Sequence, residues 1–213
     1  MTRLPQVWRP DHDPINGPWS HPPSADADRD RHYRRGVDRP TFRLATADDV
    51  DAVVALVQSA YRGEASRAGW TTEADLIDGQ RTDAGLVLDT IARDGAAILL
   101  AETDHLVACA EIAVYEGPGG GGYFGMFAVE PGLQGRGIGG AVLDEIERMA
   151  REDRGHDRLV LVVISLRTEM IDLYLRRGFV PTGDLVPFPY GEERYGRPRR
   201  DDLELLVMAK PLR

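Results

Sequence analysis

The most restrictive stretch of the chain is Val129 to Gly140, which reads Val-Glu-Pro-Gly-Leu-Gln-Gly-Arg-Gly-Ile-Gly-Gly. A β-prone run, Tyr123 to Val129, leads into it, and helical apolar spacing leaves it from Ile138. Gly135, Gly137 and Gly139 carry no side chain, so backbone here can approach a ligand closely. The first amides of the following helix have no intrahelical acceptor and carry partial positive charge. Such a strand–loop–helix junction suits a pyrophosphate, and Arg136 adds a direct charge. The charge matters because the chain as a whole is acidic, with a formal net charge of -9.

Other readings of the same residues are weaker. Gly135, Gly137 and Gly140 fit the G-x-G-x-x-G dinucleotide fingerprint, a pattern that says little on its own. A dinucleotide fold sets that loop after its first strand in a strand–helix–strand unit, whereas this loop follows a run of consecutive strands at mid-chain. The Lys-Ser/Thr pair of a P-loop is missing. A glycine-rich turn with no ligand stays open as the plain alternative.

The surrounding pattern predicts the rest of the domain. Thr41 to Leu44 reads as a strand. Thr46 and Asp49 resemble a helix cap ahead of Val50, Val53, Val54 and Val57. A second helix starts near Asp83, with Leu86, Val87 and Ile91 inward and Gly95 ending it. Three strands follow, at 97–102, 106–115 and 123–129, joined by tight connections. Then come a helix over 138–153, a strand at 159–164 apolar enough to be buried on both faces, a helix over 169–177 and one or two closing strands, the last at 203–209. Residues 184–202 are expected to form a long polar and aromatic loop. This order packs as a mixed α/β domain, a sheet with helices on both faces.

Residues 1–40 differ from the rest. They are rich in proline, Asp and Arg and poor in aliphatic residues, so they bury too little surface to offset their ordering entropy. A flexible extension is expected there, the sharper alternative being a functional arm bearing Trp8, Trp19 and Tyr33. The folded domain is expected over 41–213. Its acidic body lacks the basic face that nucleic acid requires and mildly favours a cationic substrate such as an amine. No apolar stretch is long enough to span a membrane and no secretory signal opens the chain. The lone cysteine, Cys109, reads as a buried filler, and a chain without disulfides fits a cytoplasmic setting.

Two motifs together resemble the GCN5-related N-acetyltransferase (GNAT) family. The first is Phe127-Ala128-Val129-Glu130-Pro131 followed by Gln134-Gly135-Arg136-Gly137-Ile138-Gly139. The second is Leu173-Tyr174-Leu175-Arg176-Arg177-Gly178-Phe179. The resemblance covers about 41–213. It implies a mostly antiparallel mixed sheet flanked by helices, with two central strands splayed around acetyl-CoA. No metal is implied. A subset of the family also shares the look of Gly69 to Leu76 and of Pro187 to Gly191, a likeness that implies no substrate.

What the family does then maps onto particular residues. The resemblance implies that main-chain groups of Phe127, Ala128 and Val129 pair with pantetheine and the thioester. Gln134, Gly135, Arg136, Gly137, Ile138, Gly139 and Gly140 are implied to hold the pyrophosphate. Tyr174 matches the family's general acid, its alternative being a core tyrosine. Many members have asparagine near the pantetheine arm where this chain has Ser165-Leu166-Arg167, so Arg167 reads equally as a cofactor or substrate contact or as an exposed residue. The base is open among Glu111, Glu102 and Glu73. Glu111 is the preferred one, because partial burial on a strand would raise its pKa toward a useful range. Irregular segments supply candidate substrate contacts in Trp70, Glu73, Tyr190 and Arg194. The expected reaction is acetyl transfer from acetyl-CoA to a small-molecule amine. A non-catalytic acetyl-CoA sensor is the alternative, and dimers are common in the family.

Overall fold

A computed structural model describes residues 39–213, so the proposed extension and its aromatic arm lie almost wholly outside the described residues. The element order is β1 (Thr41–Leu44), α1 (Val50–Tyr61), α2 (Gly63–Ser66), β2 (Ile77–Asp78), α3 (Ala84–Ala92), β3 (Ala97–Glu102), β4 (Leu106–Val114) and β5 (Gly122–Val129). It continues with α4 (Ile138–Arg148), β6 (Arg158–Ile164), α5 (Thr168–Arg176), β7 (Val180–Pro187), β8 (Arg197–Pro198) and β9 (Glu204–Pro211).

Seven strands form one sheet in the order β1-β3-β4-β5-β6-β9-β7. All its pairs are antiparallel except β5 with β6. Alternation along the strands sorts side chains to two faces. On β3, Ile98 and Leu100 join Val53, Val57 and Val87 of α1 and α3, while Leu99 and Ala101 join Val142, Ile146 and Met170 of α4 and α5. Helices therefore cover both faces, as the sequence pattern predicts.

Local chemistry sets the helix ends. The Thr46 amide donates to Asp49 Oδ2 at 2.8 Å ahead of α1, and the Asp83 carboxylate accepts from Leu86 N at 2.8 Å at the start of α3. After α5, Gly178 takes φ +85°. The Phe179 amide can then return to Tyr174 O at 3.0 Å and its ring is fully buried. The helix expected over 138–153 ends in a π-turn at Met149–Asp153.

Two expectations need correction. Residues 184–187 are not loop: they complete β7, which pairs with β9 at the sheet edge. The strand was hidden because its side chains are mostly exposed and lack alternation. The segments 63–82 and 188–202 are also less irregular than their composition suggests, because β2 and β8 pair as a small ribbon. That ribbon ties two distant loops together over one end of the sheet.

Candidate functional site

Strands β5 and β6 pair only at Gly122 with Leu159 and Tyr123 with Val160. Beyond that point they diverge, and a wedge opens toward their C-terminal ends. β5 is also bulged. Cys109 of β4 faces Ala128, yet Glu111 faces Gly125, which leaves an extra residue on β5. Met126 sits in the bulge at φ +43°, the one non-glycine residue at positive φ among those described.

The loop after β5 runs through a 3-10 turn at Pro131–Leu133 into α4. Gly135 and Gly137 adopt φ +75° and +97°, a region L-residues rarely enter. No main-chain acceptor among the described residues takes a hydrogen bond from the amides of Gly135 through Gly140; the first such bond is Ala141 N to Gly137 O, 3.1 Å. The first turn of α4 carries no acidic residue. A row of unpaired amides, a helix N-terminus and the exposed Arg136 together fit a polyanion such as the pyrophosphate of acetyl-CoA. The other glycines answer to packing. A Cβ on Gly139 would stand 3.2 Å from the Phe127 ring, and one on Gly140 would stand 3.0 Å from Arg177.

Gln134 does something else in this structure. Its side chain accepts from Trp70 N at 2.9 Å and donates to Thr71 Oγ1 at 2.9 Å and Val129 O at 3.0 Å. It latches the segment after α2 onto the glycine loop. Phe127 O accepts from the Tyr61 hydroxyl. A carbonyl oxygen has two lone pairs, so Phe127 and Val129 each keep one acceptor site. Ala128 points its side chain into the core beside α1.

A cavity of about 250 Å³ fills the wedge. Phe124 to Phe127 of β5 and Leu161 to Ile164 of β6 form its walls, with Tyr174 of α5, Tyr123 and the ribbon-side residues Phe188 and Tyr195. Tyr174 is 6% exposed, edge-on to Phe124 and Phe179. Burial pushes its phenol well above the usual value, so it stays protonated at neutral pH.

Charged residues gather on one side. Glu73 is buried, bonded to the Arg62 guanidinium through Oε2 and to Arg167 at 3.2 Å through Oε1. Burial works to raise the Glu73 pKa, and Arg81, Arg62 and Arg167 outweigh it, so the carboxyl is held below the usual range. Arg167 also reaches Glu169 at 3.1 Å and Thr71 O at 2.9 Å. It is thus buried rather than exposed, and it lines the cavity. Arg81 lies 5.4 Å over the Tyr61 ring.

Glu111 is paired with Arg93 at 2.6 Å and its side chain is 13% exposed. Burial raises its pKa and Arg93 only partly opposes that. Gly125, its register partner, lines the cavity, and the Tyr123 ring lies over Gly125, so Glu111 sits behind that wall rather than in it.

The remaining substrate candidates lie off the cavity wall. Trp70 is 44% exposed. The Tyr190 hydroxyl accepts from Leu203 N at 2.6 Å, and Arg194 leans toward Asp83 at 3.9 Å. The cavity instead takes Tyr195, an aromatic of the 188–200 segment expected to contact substrate, together with Tyr61, Arg62, Arg81 and Tyr123, which sequence reasoning did not single out. Only Tyr61 carried a usable signal, as an aromatic closing an amphipathic helix. Cys109 is fully buried and its thiol is pushed up to about 12 by desolvation, as a filler should be.

Comparison with known proteins adds an independent line. A family model described as "Acetyltransferase (GNAT) family" matches residues 50–179, more than half of the chain. A ribosomal-protein-alanine N-acetyltransferase from Brucella melitensis superposes with TM-score 0.59 at 24% identity, over 81% of this chain and 99% of that one. An N-acetyltransferase from Staphylococcus aureus gives 0.60 at 13% identity, over 82% and 99%. A GNAT-family acetyltransferase from Streptococcus pneumoniae gives 0.54 at 18%, again over 82% and 99%. At such identities the likeness concerns the fold. No curated protein sequence matches the chain.

Proposed function

The chain belongs to the acetyltransferase (GNAT) family, and from that premise we propose that it moves an acetyl group from acetyl-CoA directly onto the amine of a small molecule, with both bound at once. The observation that carries this reading is the wedge between β5 and β6. It is walled by residues of β5 and β6 and lined by a protonated tyrosine, and β5 runs from it into the loop of unpaired amides that starts α4. Acetyl-CoA supplies an activated thioester; everything else falls to the protein's own residues.

The amides of Gly135 through Gly140, with Arg136, hold the diphosphate. Phe127 and Val129 offer main-chain groups to the pantetheine arm. The amine nitrogen forms its bond to the acetyl carbon as the carbon–sulfur bond breaks, and Tyr174 gives its proton to the departing sulfur. Glu111 takes the proton lost by the amine, through water along the Tyr123 side of the cavity. A carboxyl whose pKa is lifted by burial is a better base near neutrality than an ordinary one. Gln134, Glu73 and Arg167 shape the site without touching the reacting atoms. The domain carries out this chemistry in the cytoplasm; among the described residues no helix is long and apolar enough to cross a membrane.

Isothermal titration with acetyl-CoA tests the reading, with NAD as control and Gly137→Asp as the variant. Aspartate there adds a negative charge to the anion cradle and a Cβ at φ +97°. Expected is acetyl-CoA binding in the parent, none with NAD, and loss in the variant. Equal binding by the variant would detach the cofactor from the glycine loop.

A further inference from the structure

We propose that the acceptor amine also bears a carboxylate, and that Arg81 is the residue that receives it. This deepens the acyl-transfer reading and rests on it for the identity of the acceptor pocket.

The inference comes from pairing the charges around the cavity. Arg62 is matched by Glu73, Arg167 by Glu169 and Glu73 together, and Arg93 by Glu111. Arg81 shares Glu73 with Arg62 and Arg167, so four guanidinium groups face three carboxylates. Its contact is an ion pair of 3.7 Å between Nε and Glu73 Oε2, beyond hydrogen-bonding distance, on an oxygen that Arg62 also engages. No hydrogen bond from the Arg81 guanidinium to a described residue is formed, whereas the guanidinium groups of Arg62 and Arg167 have theirs. The Arg81 side chain is 36% exposed, so water serves its donors at rest, and an incoming carboxylate replaces that water with a charge-assisted pair.

The group is also held in place. The Arg81 amide donates to Gln58 Oε1 at 3.0 Å, and its guanidinium rests over the Tyr61 ring. The guanidinium thus lines the cavity with Tyr61 and Tyr123, and a planar carboxylate is the geometry such a fork matches bidentately. Tyr61 in turn is anchored to Phe127 O, on the strand that walls the wedge. A carboxylate seated on Arg81 would thus lie near the thioester-binding strand, leaving an amine elsewhere on the same molecule to reach it. The local positive charge has a second effect. It disfavours an ammonium, so it eases loss of the amine's proton before attack. The acidic surface of the whole chain points the other way, toward a purely cationic acceptor; the cavity reverses that sign locally.

The test uses full-length protein and needs no known acceptor. Acetate, propionate and benzoate, each against its carboxamide, are titrated by ligand-observed NMR with and without acetyl-CoA. Wild type should bind at least one carboxylate about tenfold more tightly than its amide, Arg81→Gln should abolish the preference, and Arg81→Lys should retain part of it. Turnover should show the same preference for glycine over glycinamide and for phenylalanine over phenethylamine. Equal binding of acids and amides by wild type, or a preference untouched by Arg81→Gln at unchanged melting temperature, overturns the proposal. The wild-type acid–amide comparison stands even if a variant fails to fold. Failure of acetyl-CoA itself to bind would instead strike the acyl-transfer reading, and the carboxylate result would still be read separately.

Discussion

Replacing Glu73 by glutamine perturbs the carboxylate at the centre of the site's buried charge cluster. The side chains of Glu73, Arg62 and Arg167 are 6%, 2% and 4% exposed. Glutamine keeps the volume and one acceptor oxygen but removes the charge, which leaves the buried Arg62 without a carboxylate and Arg167 with Glu169 alone. Breaking one partner out of a buried ion pair costs about 3–5 kcal/mol. In a domain of this size that lowers the melting temperature by roughly 6–20 °C, at about 2–4 °C per kcal/mol. Urea unfolding gives the free energy directly, with an unchanged m-value expected. The pH dependence supplies a second check. The arginines hold the folded-state pKa of Glu73 below its unfolded value. Its contribution is therefore present above about pH 4.5 and lost as pH falls through the folded pKa. The variant should lack that part of the acid-side loss. A destabilisation under about 1 kcal/mol, or the same acid limb in both proteins, would refute the view that Glu73 holds the arginines in place.

Three further outcomes follow from the site. Tyr174→Phe should lower kcat by about a hundredfold or more while acetyl-CoA affinity stays as it was; an unchanged kcat removes it from the mechanism. In wild type, kcat/KM should rise with pH as Glu111 ionises, along a limb displaced above the ordinary carboxylate range by burial. Glu111→Gln should erase that limb, and a profile identical in both proteins rejects Glu111 as the base. Thr82 Oγ1 is buried without a hydrogen-bond partner among the described residues. Thr82→Val should therefore leave stability equal or raise it by about 1 kcal/mol in urea melts, and a loss of that size would reveal a hidden partner.

How much of this was legible beforehand depended on range. The helices and buried strands were, because apolar spacing of period 3.6 or 2 is written along the chain and each element buries its own face. The glycine loop was also legible, since positive φ at Gly135 and Gly137 demands the residue type that stands there. So was Tyr174, fixed by its place one turn before Gly178 on α5.

The tertiary structure decided what those elements enclose. The position of β7 escaped notice because an edge strand with exposed side chains has no alternation to read, and its pairing depends on β9. Gln134 fell in a cofactor motif, yet it bonds the chain at Trp70 and Thr71, more than sixty residues away. Glu73 stood in a polar segment that reads as surface. It is buried only because Arg62, eleven residues before it, and Arg167, ninety-four after it, converge on the same carboxylate. The sequence counts charges but does not pair them. Which arginines crowd onto one carboxylate, and which of them forms no hydrogen bond to it, is set by contacts between segments that the order of residues leaves open.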